Sequence, residues 1–310
     1  MKKTLSFHFE SDTTTVCELS KNSKGLELHS ISTIRNGIPP IGENILVFKN
    51  GLTKILKEVE EELKASERIT ISLPPETSLA KQIPFIEAHE EEKLKELLTF
   101  EIELLYPKFT VNDFYVKLFP IEGKSKSSQM QLAILMEKSY QKAIQDTFES
   151  FGKKVDVFQV RQLAAHSTFL YNYPELHSNT VVILGIQEKF IDVSIIREGK
   201  LYYYDLASFN SLKELGSLCQ SEITKLLSGT VSFIDHVFLF GSNLTAESLS
   251  HAHASLFGII QKVERINAFR MVTTKLDQRT KEYCARTAHT FVPCIGASLL
   301  DPHKVSFILE

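Results

Sequence analysis

The chain has 310 residues, enough for two medium domains or one bilobal body with more than one core. A formal charge of −3, with 43% hydrophobic and 24% charged residues, describes a folded globular protein and gives no basic footprint for nucleic acid or an anionic membrane. Met1-Lys2-Lys3 is basic, but charge interrupts the run that follows too soon for a signal peptide, and no stretch approaches the length of a membrane span. The four cysteines Cys17, Cys219, Cys284 and Cys294 have no metal-type spacing, so reduced cytoplasmic thiols are expected.

In chain order, three short β-type runs come first, Thr4 to Phe9, Thr13 to Ser20 and Leu26 to Ile34. A helix-period segment follows from Asn44 to Ala65, with Gly51 as its weakest point, and then a strand from Arg68 to Leu73 that Pro74-Pro75 stops. A different module begins there. It has a Glu-rich helix from Ala88 to Pro107 with Leu94, Leu97, Leu98 and Ile102 on one face. Strands Phe114 to Phe119 and Gln131 to Met136 flank a polar surface hairpin, Gly123 to Ser128. The helix Ser139 to Phe151, the strand Val155 to Val160 and the helix Gln162 to Tyr171 close the module.

The opening order then returns. Val181 to Gly185, Phe190 to Arg197 and Lys200 to Asp205 read as strands, with Glu198-Gly199 as a hairpin turn. A helix Ser211 to Leu227, the strand His236 to Phe240 and a helix Thr245 to Phe257 follow. In Tyr202-Tyr203-Tyr204, strand alternation puts Tyr203 on one face and its neighbours on the other. Two β-β-β-α-β blocks predict a duplicated α/β body with mixed sheets covered by helices. The expected divisions are 1–74 (first half of lobe 1), 75–171 (inserted subdomain and return to lobe 1) and 172–310 (lobe 2).

Within the insertion, Ile83-Pro84 precedes the Glu-rich helix, which ends in Phe100-Glu101-Ile102-Glu103-Leu104-Leu105-Tyr106-Pro107. Asp113-Phe114-Tyr115-Val116, Leu132-Ala133-Ile134-Leu135 and Phe151-Gly152-Lys153-Lys154-Val155-Asp156-Val157 follow it. This run resembles the PilM family of type IV pilus assembly proteins, in the actin/FtsA-like superfamily. It is nearly as similar to the cytoplasmic domain of the type II secretion protein GspL. The resemblance implies an actin-like, duplicated ribonuclease-H-type fold of two lobes plus a small inserted α/β subdomain. It also implies a cytoplasmic scaffold, peripheral to the inner membrane only through its partners. Those partners would be a PilN-like or GspM-like bitopic protein, the assembly ATPase, or a second copy in a homodimer, and the subdomain would hold the bitopic protein's tail. Phe100, Leu104, Tyr106 and Pro107 are the candidate partner-binding residues.

The same superfamily places a D-x-G-[ST] hairpin at ATP and its metal. Here His8 stands for the Asp and Glu10 for the Gly, ahead of Ser11, Asp12 and Thr13. Leu184 stands for the Asp of the second hairpin, where Gly185 and Gln187 remain, and Gly241-Ser242 is left of the adenosine turn. A carboxylate and a Cβ beside a triphosphate both oppose anion binding, so the expectation is a pseudo-ATPase with no cofactor. The alternatives are an actin-like ATPase or switch that binds ATP with Mg, and an actin-fold protein of unrelated role. His251 and His253 lie two apart on a helix and share no face, and the same holds for Glu101 and Glu103, so neither pair suggests metal binding or acid–base chemistry. No Walker A, H-E-x-x-H, G-x-S-x-G or C-x-x-C occurs.

Overall fold

A computed structural model describes residues 2–10, 12–23, 25–36, 44–87, 90–122 and 129–299. The hairpin expected over Gly123 to Ser128 and the site residue Ser11 lie outside the described residues.

The first block folds as β1 (Lys3–Phe9), β2 (Thr14–Asn22), β3 (Gly25–Ile34), α1 (Ile45–Glu58), α2 (Glu60–Ala65) and β4 (Arg68–Leu73). The helical segment breaks at Val59, not at Gly51, which lies inside α1 and whose carbonyl accepts a bond from Asn36 at 3.0 Å. The insertion supplies β5 (Ser78–Pro84), α3 (Glu91–Leu105), β6 (Phe114–Ile121), β7 (Met130–Glu137) and α4 (Lys138–Glu149). The chain returns through β8 (Val157–Val160) and α5 (Arg161–Asn172). The second block is β9 (Thr180–Ile186), β10 (Phe190–Arg197), β11 (Lys200–Ser208), α6 (Leu215–Gly229), β12 (His236–Phe240), α7 (Ala246–Leu256) and β13 (Val263–Arg265). Then come β14 (Thr273–Thr274), α8 (Gln278–Thr287) and α9 (Val292–Leu299).

The duplication is visible in the strand order. One sheet runs β14-β3-β2-β1-β4-β8 and the other β11-β10-β9-β12-β13. In each, the first three strands of the block are antiparallel neighbours, and the next two extend the sheet in parallel beside the first strand. β1 and β9 therefore lie in separate sheets. Each turn follows from local chemistry: at the β10–β11 hairpin Glu198 and Gly199 take φ of 52° and 72°, the left-handed pair that a two-residue loop requires.

Helices α1 and α4 cover the outer face of the first sheet through Leu5, Phe7 and Phe9. Helices α6 and α7 cover the outer face of the second through Val182, Leu184 and Val193. Between the two sheets lie α5 and α9, in a core shared by Cys17 and Leu19 on one side and Val181, Ile183 and Phe238 on the other. Tyr202 departs from strict alternation: the β10–β11 register shifts between Ile195 and Ile196, and Tyr202 and Tyr203 both pack on the second lobe's core. The stretch from 172 onward does not all serve the second lobe, because β14 pairs with β3 and α9 packs on β1 and β4. No helix of the described residues is long and apolar enough to cross a membrane.

The crossing of α5 and α9 is closer than side chains allow. A Cβ on Gly296 would lie 1.7 Å from the Ala164 carbonyl oxygen, which is backbone and cannot step aside. Ser6 and Thr168 donate to the carbonyls of Cys294 and Val292, both at 2.5 Å, and hold α9 in place. Gly296→Ala should therefore cost at least about 2 kcal/mol of unfolding free energy, measured by urea denaturation.

Candidate functional site

At the mouth of the cleft between the sheets, three turns meet: the β1–β2 hairpin, the β9–β10 hairpin and the turn after β12. All three close around one side chain, Arg161, whose guanidinium is only 1% exposed. It enters from the first turn of α5, where a cation is disfavoured by the helix dipole, so its position depends on neighbouring anions. Glu10 supplies one at 3.8 Å and Asp192 another at 3.6 Å. Arg161 Nη2 donates to the Ile186 carbonyl at 3.2 Å, and the guanidinium lies 4.8 Å from the centre of the Phe240 ring.

Both glycines of the degenerate nucleotide motifs lie beside this arginine. A Cβ on Gly185 would sit 2.8 Å from Arg161 Nη2 and 2.7 Å from Phe240. On Gly241, at φ +125°, it would sit 2.1 Å from the Ile186 oxygen and 3.2 Å from Arg161 Nη2.

Glu10 and His8 lie on the inner side of β1, both buried. His8 Nδ1 faces Ser72 Oγ at 3.1 Å and His8 Nε2 faces Glu10 at 3.3 Å. Burial alone would raise the Glu10 carboxyl, but its bond to His8, the nearby charges of His8 and Arg161, and Ser242 bring it down to about 2. Asp192 is shifted the other way: full burial raises it, against the pull of Arg161 and the Tyr204 hydroxyl that donates to it at 3.0 Å. Of the sequence candidates, Thr13 closes the first hairpin by accepting from the Glu10 N–H at 2.8 Å, and Gln187 closes the second by donating to the Phe190 carbonyl at 2.9 Å. Ser242 reaches Glu10, and Asp12 is exposed. Leu184 is fully buried in the second lobe's core.

Arg161 and Asp192 were not singled out in the sequence, although both left a trace. Asp192 lies within the apolar strand Phe190 to Ile196 on the face it shares with Ser194, and a charge there requires a partner. That same face carries Ser194, which Gln162 reaches at 2.6 Å and His166 at 2.7 Å. Burial holds the His166 imidazole at about 3, hence neutral.

The insertion offers a second surface. Strands β5, β7 and β6 form a small sheet in that order. One face packs against α3 through Leu94, Leu98, Ile102, Val116 and Leu135. The other turns toward the lobes and is hollowed twice. A crevice of about 30 Å³ lies between it and the end of β8, and a groove of about 610 Å³ lies between it and the start of β11. Phe119 lines both. Glu122 bridges the far end, donating its N–H to the Leu201 carbonyl at 3.0 Å and pairing with Lys200 at 2.6 Å.

The partner-binding candidates divide. Phe100 and Leu104 lie on the solvent side of α3, 66% and 69% exposed, away from both hollows. Tyr106 packs into the subdomain core edge-on to Phe109, and Pro107 is exposed at the turn after the helix. Glu101 pairs with Lys81 at 2.9 Å.

Removing the guanidinium while leaving both carboxylates should be severe. Arg161→Met is expected to cost about 3–5 kcal/mol of stability in urea unfolding, and adding Glu10→Gln and Asp192→Asn should recover a large part of it.

No protein-family model and no curated protein matches the chain. Solved structures do. One of a "PilM-PilN type IV pilus biogenesis complex" is similar over 96% of this chain and 97% of its own, with a TM-score of 0.72 at 14% identity. A Bacteroides thetaiotaomicron protein of actin-like ATPase fold and unknown function is similar over 86% and 91%, with a TM-score of 0.55 at 14% identity. The chain therefore has the actin-like fold of these structures, with two lobes of matching strand order.

Proposed function

We propose that this protein is a non-catalytic scaffold of an inner-membrane assembly platform, serving a type IV pilus or a type II secretion system. Its inserted subdomain would hold an extended cytoplasmic segment of a bitopic partner of PilN or GspM type. The assembly ATPase or a second copy of the chain would be further partners, and the membrane would be reached only through them. The observation that carries this reading is a contrast between two sites. The cleft where an actin-like ATPase would hold nucleotide is filled by Arg161, Glu10 and Asp192, whereas the seam between the β5-β7-β6 sheet and the lobes, packed through Leu132, Ile134, Val160 and Tyr204, leaves a groove of about 610 Å³ beside β11. The likeness to a PilM–PilN complex supports the choice of partner.

The chemistry of the cleft agrees with that division. The guanidinium is already engaged by Glu10 and Asp192, and an incoming polyphosphate would have to displace that internal ion pair. The alternative reading, an ATPase or switch, requires Mg-ATP to bind there. Calorimetric titration of Mg-ATP should show no binding. A dissociation constant below about 100 μM, near −5.5 kcal/mol, would overturn the non-catalytic reading.

Two surfaces of the subdomain can take the partner. The groove beside β11 is the larger concavity, with Phe85 half-exposed at its edge. The outer face of α3 is the second, favoured by the exposure of Phe100 and Leu104 together, which helical spacing makes neighbours. A labelled dodecapeptide from the N-terminus of the host's own PilN-like or GspM-like protein separates them. Phe85→Asp is expected to weaken its binding about tenfold or more with an unchanged thermal midpoint, while Leu104→Asp leaves both unchanged. Loss only with Leu104→Asp would move the site to the helix. Indifference to both would remove the docking reading.

A further inference from the structure

The narrower crevice contains a cation with no carboxylate partner among the described residues. Lys117 projects from β6 on the face turned away from α3, beside Tyr115 and Phe119 of its own strand and opposite Ile134 of β7. It is half-buried, and its ammonium lies 4.8 Å from the centre of the Phe119 ring. No carboxylate among the described residues forms an ion pair with it, and burial brings its amine down to about 8. The remaining walls are mostly apolar, chiefly Leu73, Phe158, Val160 and Met136, with Ser78 and Gln159 as neutral polar members. A cation held among rings and aliphatic chains with no anion is an unfinished interaction, and an incoming anion would complete it.

The surroundings narrow the anion down. The crevice has about 30 Å³ of open volume, roughly one water's share of the liquid, so it admits the tip of a carboxylate more readily than a phosphorylated headgroup. One wall is β8, the last strand of its sheet, and the Val160 N–H bonds to the side chain of Gln159 at 3.1 Å instead of to another strand. Such an edge can take an additional extended segment. Phe119 borders both this crevice and the larger groove, so a segment crossing its ring can reach Lys117 on one side and the groove on the other.

We infer that Lys117 anchors an Asp or Glu side chain of an extended, otherwise apolar partner segment that lies along the free edge of β8. This rests on the docking reading above, adding to it the charge the partner must carry and the residue that reads it.

A displayed library of random dodecapeptides, selected on the whole chain, tests it. Peptides whose binding is lost with Phe85→Asp are taken as groove binders. They are expected to carry an acid at one fixed position between apolar residues. Changing that acid to its amide should weaken binding to the unmodified protein about tenfold or more, and should change nothing in Lys117→Met. Lys117→Met should keep or raise the thermal midpoint, since it removes a desolvated charge. Groove binders indifferent to the acid, or to Lys117→Met, would overturn the inference and leave the docking reading standing. So would a Lys117→Met protein that is destabilised and binds every peptide equally poorly. Recovery of no peptide sensitive to Phe85→Asp would remove both.

Discussion

A guanidinium out of water, between two carboxylates from different sheets, sets the geometry of everything around it. Arg161 cannot leave its site without exposing buried anions, and Glu10 and Asp192 cannot separate without leaving a buried cation. The two lobes are thereby joined by side chains of the chain itself. A Cβ on Gly185 would meet the arginine and the Phe240 ring, and Gly241 is held by its left-handed backbone and the Ile186 carbonyl oxygen, with the arginine just beyond.

Most of the architecture could be read from the sequence because it is local. The strands 190–197 and 236–240 fell where alternation and breakers put them, since both their faces are buried and their ends are marked by turns. The repeated order of elements was enough to indicate two sheets. What escaped is what depends on distant partners. β13 and β14 are three and two residues long and exist only because a neighbouring strand accepts them. α9 contains Pro293 and Gly296, which argue against a helix locally, yet Gly296 is required where α5 crosses.

The site was legible by halves. The sequence alone argues that His8 and Glu10 would oppose a phosphate, because that judgement needs only their charge and size. It did not show what they were right for, since their partners Ser72 and Arg161 lie 64 and 151 residues further along the chain. Phe100 and Leu104 were correctly seen as neighbours on a helix, but periodicity does not say which stripe a sheet will cover. The β5-β7-β6 sheet took the stripe containing Leu94, Leu98 and Ile102 and left the other in water. Lys117 gave no signal, because an alternating strand with one charged residue reads as a solvent-facing position.

The placement of α9 has a consequence for synthesis. The first sheet begins at residue 3, yet its inner face is covered by a helix spanning 292–299, and its far edge is paired by residues 273–274. A chain emerging from the ribosome cannot complete its first lobe until residue 299 has been made, whereas the five-stranded sheet closes within residues 180–265. The later block can therefore mature first, against the usual N-to-C order of domain folding, while β1, β2 and β3 wait with Cys17 and Leu19 uncovered. During translation that waiting face is the part of the molecule most in need of shielding by a chaperone.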